Sequence, residues 1–323
     1  MVVAVSALLL STGNVLLLLL RASVQTSAVE AELPAGPTPS PSLPVHRQPL
    51  STESATKDSE QSAKPSNDTL AALDRGLSRC PNARRPSVDQ IVRIQSVWQL
   101  QYIGVERIYV YSAYFDDRRA AGVLPSIRVL VLSTFRRNAS IICSVWYGGI
   151  DQPFVVPVTV NSVAGSGYRF GRQIHREYAY ICPLPISHPV PTDVSVLGGR
   201  DTCPGPSGYS TLVPIQRTVP TRRQPVEFGV CVTAGYGYLE PEVLVEWVEL
   251  NRLYGAAEIN LYDVWYSKNM STVFRYYQNL GVLRVHTLPH PRADHPSWFF
   301  NKVRNLRIIA LNDCQLKYMY RYR

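Results

Sequence analysis

Between Val226 and Tyr318 the chain alternates strand-like and helix-like periodicity three times, and this alternation restricts the fold more than any other feature. Val226 to Thr233 is an apolar run of buried-strand type, closed by Ala234-Gly235-Tyr236-Gly237. Pro241 suits the first turn of a helix and Gly255 suits its C-terminal cap, with Leu244, Trp247, Val248 and Leu250 forming an apolar stripe between them. Ile259 to Val264 reads as a second strand, and Thr272 to Leu280 as a second helix stopped by Gly281. Val282 to Thr287 is a third strand, and Asn301 to Tyr318 a third helix. Strands separated by helices must run parallel through right-handed crossovers. The expected product is a Rossmann-like, doubly wound α/β unit over residues 226–323, whose ligands sit beyond the carboxyl ends of the strands.

The rest of the chain changes character in blocks. Residues 86–220 hold short runs rich in β-branched and aromatic residues, such as Ile127 to Leu132 and Ser140 to Trp146, separated by glycine pairs. A β-rich, sandwich-like domain is the economical reading. Residues 22–85, with Pro37-Thr38-Pro39-Ser40-Pro41-Ser42, offer too little apolar surface to offset the entropy of ordering and read as a disordered stem. Val2 to Leu20 carries no charged side chain and is closed by Arg21, close to the length that crosses a hydrocarbon layer. Residues 1–21 are expected to be a transmembrane signal anchor, with a cleaved signal peptide as the rival. Either places the remainder in the secretory lumen. Asn67, Asn138 and Asn269 each open an N-glycosylation sequon, consistent with that route.

The net charge of +9 comes from basic residues scattered in ones and twos. No nucleic-acid-binding fingerprint accompanies them, so nucleic acid is not an expected partner. The six cysteines, at 80, 143, 182, 203, 231 and 314, form no Cys-x-x-Cys pair and no zinc-ligand spacing. An even count at wide spacing suits a lumenal domain with some disulfides.

Several segments, taken in order, resemble glycosyltransferase family 92. These are Tyr111-Ser112-Ala113-Tyr114-Phe115-Asp116-Asp117-Arg118, Cys182-Pro183-Leu184-Pro185, Phe228-Gly229-Val230-Cys231-Val232 and Val245 to Arg252 with Gly255. Tyr276-Tyr277 before Gly281 and Ala310-Leu311-Asn312-Asp313-Cys314 complete the set, which spans residues 107 to 316. The resemblance implies a single-pass type II Golgi membrane protein whose 226–323 unit is part of a GT-A fold. It further implies a β-galactosyltransferase acting with inversion, with UDP-galactose as donor, a glycan as acceptor and a divalent metal, manganese, as cofactor. In that family an acidic Asp-x-Asp-like motif follows the Asn-Asp-Cys helix. The sequence stops at Arg323 before such a motif, so the α/β unit is expected to be incomplete and this chain inactive alone.

On that reading no catalytic or metal-binding residue is expected within the chain. Thr233 and Gly235, in the loop after the first strand, and Asp263, ending the second, are the candidates for holding the nucleotide sugar, with Asp313 on the last helix beside them. Glycine at 235 would let a ligand approach the backbone closely. Their bland alternatives are an ordinary turn, a strand-end cap and a core hydrogen bond. Cys231 and Cys314 are candidates for a disulfide, with buried free thiols as the alternative. Asp116-Asp117 reads as a turn salt-bridge cluster, and Glu246 and Glu249 as helix surface. A membrane-tethered or secreted carbohydrate-binding or interaction protein without catalysis is the competing function. A hydrolase is disfavoured, because no Gly-x-Ser-x-Gly elbow follows a strand.

Overall fold

The computed structural model describes residues 2–6, 21–23, 77–118, 124–134, 140–162, 168–170, 173–185, 189–198, 203, 208–217, 228–237, 239–266, 268–291 and 299–319. Most of the anchor and stem segments, including residues 7–20 and 24–76, lie outside these, as do Asn67 and Asn138. Among the described residues no helix is long and apolar enough to cross a membrane.

The β-rich part comprises β1 (Trp98–Ile103), β2 (Glu106–Asp116), β3 (Ser126–Ser133), β4 (Ile141–Trp146), β5 (Phe154–Pro157), β6 (Thr159–Ser162), β7 (Tyr168–Phe170), β8 (Gln173–Pro183), β9 (Asp193–Gly198) and β10 (Val213–Arg217). Where two separate sheets were expected, the strands form one curled, mixed sheet in the order β6-β8-β3-β2-β10-β9-β4-β5. The parallel pairing of β10 with β2 stitches the two halves together. Accumulated strand twist then folds the halves face to face. Val129 and Tyr180 from one half share a core with Cys143, Val145 and Val194 from the other. The Cys143–Cys182 disulfide joins β4 to β8 across that core.

β2 is buried on both faces along most of its length. Ile108 and Val110 point into the curled core, and after a register shift between Val110 and Ser112 the odd-numbered Ala113 and Phe115 do so. This bulge turns Ser112 and Tyr114 to the opposite face. The folded part also begins earlier than composition suggests. Ser78–Arg79 pairs with β5, and the fully buried Cys80 is bonded to Cys203. Composition reported the polar character of this stretch but not the covalent tie that holds it.

The α/β part contains β11 (Phe228–Gly237), α1 (Pro241–Leu253), β12 (Ala256–Tyr266), α2 (Met270–Asn279), β13 (Leu283–Thr287) and α3 (Phe299–Tyr318). The strands are parallel in the order β13-β12-β11. Gly255 (φ +89°) and Gly281 (φ +70°) adopt the left-handed conformation that ends α1 and α2. Leu244, Val248, Phe274 and Tyr277 of these helices pack with Val230, Val232, Ile259, Leu261 and Leu283 on one face of the sheet. Val2–Ser6 lies as a further parallel strand along the outer edge of β11, beside Gly229 to Val232.

α3 lies between the two sheets. Leu306, Ile309, Ala310, Cys314 and Tyr318 share one core with Trp98, Leu100, Tyr109 and Leu132 of the β-rich part and with Cys231 and Tyr262 of the α/β part. Leu316 packs against Tyr114, Leu130 and Ala179. The cover comes from strands some two hundred residues away in sequence, which no local pattern reveals.

Candidate functional site

Open parallel α/β sheets bind ligands outside the carboxyl ends of their strands. Here Gly235, Asp263 and Thr287 lie side by side on β11, β12 and β13, forming one row at that end of the sheet. Thr233 precedes Gly235 where β11 breaks register, between Val232 and Gly235. It is 4% exposed, and its Oγ1 has no hydrogen-bond partner. A buried hydroxyl left without a partner costs about 1–3 kcal/mol, and such groups are uncommon in native proteins.

Gly235 is needed for close packing rather than for an unusual dihedral. A Cβ there would fall inside the ring of Tyr266, which packs edge-on against Phe274 of α2 with centroids 5.5 Å apart. The close approach expected of a ligand is thus made by an aromatic ring at the strand end. Asp263 is half-buried, and its Oδ1 accepts from the Tyr266 N–H at 3.0 Å. Burial pushes the Asp263 carboxyl above its ordinary range, against the lowering effect of that N–H. The Asp263 carbonyl accepts from the Leu288 N–H at 2.8 Å, which ties the end of β12 to the chain leaving β13.

Asp313 is placed differently from Thr233, Gly235 and Asp263. It is 1% exposed, in the core between the two sheets. Its Oδ1 accepts from Ser112 Oγ and Tyr114 Oη, each at 2.6 Å, and its Oδ2 from Tyr262 Oη at 2.7 Å. Lys317 Nζ stands 3.7 Å away, one helical turn on. Burial first, and the Asp313 charge second, push the Tyr114 and Tyr262 phenols well above their ordinary values, so both stay protonated donors. Ser112 and Tyr114 reach this carboxylate because of the bulge in β2. Sequence reading missed them, although their spacing on one strand face was the available signal.

Close by, the His286 ring stacks on Tyr262 at 4.8 Å, and its Nε2 lies 3.2 Å from Asn260 Oδ1. Burial first, then the neighbouring Lys317, lower its imidazole to about 4. Cys231 of β11 is bonded to Cys314 of α3, with Cα atoms 6.2 Å apart. This bond fastens the helix to the strand that carries Thr233.

One member of each acidic pair singled out from sequence, Asp116 and Glu249, is engaged in the structure. Burial raises the Asp116 carboxyl, but Arg118 and Arg128 outweigh it and hold the group below the ordinary range. Glu249 accepts from Tyr277 Oη at 2.8 Å and from Arg252. Among the described residues no three His, Cys, Asp or Glu side chains gather as a metal site. Asn269 is exposed at the start of α2.

Open parallel α/β sheets take their ligands at this end, which here carries Gly235, Asp263 and Thr287. Residues 226–323 match the family model described as Glycosyltransferase family 92. The match supports glycosyl transfer in general, with a nucleotide-sugar donor and a glycan acceptor. The stretch 107–225, on which the resemblance also rests, lies outside the matched residues. No curated protein and no solved structure matches the chain.

Proposed function

We propose that this chain contributes the nucleoside-holding part of a secretory-pathway glycosyltransferase, with UDP-galactose as donor, a glycan as acceptor and inversion at the transferred carbon. The observation that carries the reading is the row at the carboxyl end of the sheet. There the unpartnered Thr233 hydroxyl, on β11 two residues before Gly235, and the half-buried Asp263 carboxyl on β12 both belong to the segment that matches family 92. Thr233 offers a hydroxyl to the ribose or phosphate, and Asp263 an acceptor for an N–H or hydroxyl of the nucleoside. Asp313 acts indirectly, by anchoring Tyr262 next to Asp263.

A divalent metal, manganese, is part of the proposal as the neutraliser of the departing diphosphate. Its ligands are assigned to no described residue. The proposed location is the Golgi lumen; a type II anchor over residues 1–21 conflicts with Val2–Ser6, which pairs with β11 as a strand of the sheet. The pairing of all six cysteines supports an oxidising compartment.

Calorimetric titration of residues 1–323 with UDP, with manganese and with chelator, tests the reading. Saturable UDP binding is expected. Thr233→Val and Asp263→Asn should each weaken it about tenfold, the equivalent of one hydrogen bond to a charged or well-placed group. No UDP binding under either condition would sink the proposal. Incubation with UDP-galactose, manganese and a fucosylated glycan should yield no transfer, since the described residues provide no metal set.

A further inference from the structure

We propose that the outer faces of α1 and α2 form a two-fold interface with a second copy of this chain. The inner faces of these helices pack on the sheet through Leu244, Val248, Phe274 and Tyr277. Their outer faces carry large apolar side chains as well. Along α1 and its C-terminal cap, Glu246, Leu250, Leu253 and Tyr254 recur at the spacing of a single helical face. Leu253 and Tyr254 are 83% and 70% exposed. On α2 and its cap, Tyr276 and Leu280 lie one turn apart and are exposed too. Tyr277 of α2 donates to Glu249 of α1 at 2.8 Å, so the two helices present one surface. Contiguous apolar patches of this kind mark places where something docks.

Charge decides what docks here. Each helix begins four residues beyond a paired strand end, Pro241 after Gly237 of β11 and Met270 after Tyr266 of β12. The strands run the same way, so the helices return side by side. Glu246 and Arg275, each the sixth residue of its helix, therefore stand at the same level. Both are exposed, and neither makes an ion pair among the described residues.

A two-fold axis lying in the contact plane and along the helices sets α1 of one copy against α2 of the other, pointing the same way. Glu246 then meets the partner's Arg275, and Arg275 meets the partner's Glu246. Leu253 and Tyr254 come against the partner's Tyr276 and Leu280. One isologous contact thus pairs both charges twice and covers the apolar side chains between them. A bilayer surface calls for an excess of basic residues, whereas Glu242 and Glu246 are exposed on α1 and Arg252 is bound to Glu249. The apolar residues sit at the C-terminal turns of the helices, at the opposite end from Gly235, Asp263 and Thr287. Both copies keep that row uncovered.

Sedimentation velocity of residues 1–323 over a concentration series tests the interface. A monomer–dimer equilibrium is expected. Glu246→Arg and Arg275→Glu should each weaken it about tenfold, because symmetry places every reversal in two contacts. The double variant, Glu246→Arg with Arg275→Glu, should regain most of the wild-type affinity, since the reversed charges still meet across the axis. A folding defect would not be repaired in this way. Leu253→Ser with Tyr254→Ser should abolish the dimer and leave the circular dichroism of the monomer unchanged. A wild type that stays monomeric throughout the series overturns the proposal. So does a dimer indifferent to either single reversal, or one that the double variant fails to restore. Capture of a monomeric chain by phosphatidylcholine vesicles, lost in Leu253→Ser with Tyr254→Ser, would give the patch to a membrane surface and overturn the proposal as well.

Discussion

Replacing Asp313 by alanine removes the acceptor of three buried hydroxyls at once. Ser112 is 5% exposed, and Tyr114 and Tyr262 are fully buried. Each donor stranded without a partner costs about 1–3 kcal/mol, which sets an upper limit of roughly 9 kcal/mol for three. Water entering the space left by the carboxylate, and rotation of the hydroxyls, will recover part of this. A net loss of about 3–5 kcal/mol is expected, the range found when one member of a buried charged network is removed. Against a typical total stability of about 5–15 kcal/mol this is a large fraction. With a urea m-value near 2 kcal/mol/M, the midpoint should fall by about 2 M. Asp313→Asn, which keeps one carbonyl oxygen, should lose roughly half as much. The network joins β2, β12 and α3, so hydrogen exchange should show β2 and β12 losing protection together. A loss below about 1 kcal/mol, or a loss of protection confined to one sheet, would refute the idea that this carboxylate couples them.

Further outcomes follow from the same structure. His286 is held neutral, with its imidazole lowered to about 4 against an unfolded value near 6.5, so the unfolded chain binds more protons between these limits. Its contribution is therefore complete above about pH 6.5 and is lost as the pH falls towards 4; the urea midpoint should drop over that range, and His286→Gln should flatten the dependence. Gly235→Ala should cost about 1–3 kcal/mol by driving Tyr266 off its seat, and thermal unfolding that matches the wild type would count against that packing. Peptide mapping without reduction should recover the Cys80–Cys203, Cys143–Cys182 and Cys231–Cys314 pairs, and replacing Cys231 and Cys314 together by serine should lower stability by roughly 2–4 kcal/mol. Protein secreted from a eukaryotic cell should show a glycosidase-sensitive mobility shift reduced by Asn269→Gln; an unchanged pattern would remove the exposed Asn269 as an acceptor.

Local periodicity carried the α/β part of this protein. Pro241, Gly255 and Gly281 mark helix ends because their backbone preferences act over a turn or less. The runs around Val230, Ile259 and Val285 read as strands for the same reason. From that order alone the parallel sheet followed, along with the placing of Thr233, Gly235 and Asp263 at its carboxyl end.

What the sequence could not reveal depends on contacts between distant residues. Nothing near Asp313 distinguishes a ligand-facing carboxylate from a core one, because its three hydroxyl partners lie 51, 199 and 201 residues away. The cover over α3, the curl that makes one sheet of the β-rich strands, and the tie of Cys80 to Cys203 are decided in the same way. In each case many weak contacts close over long stretches of chain, and their free energy depends on the whole arrangement rather than on any local run of residues.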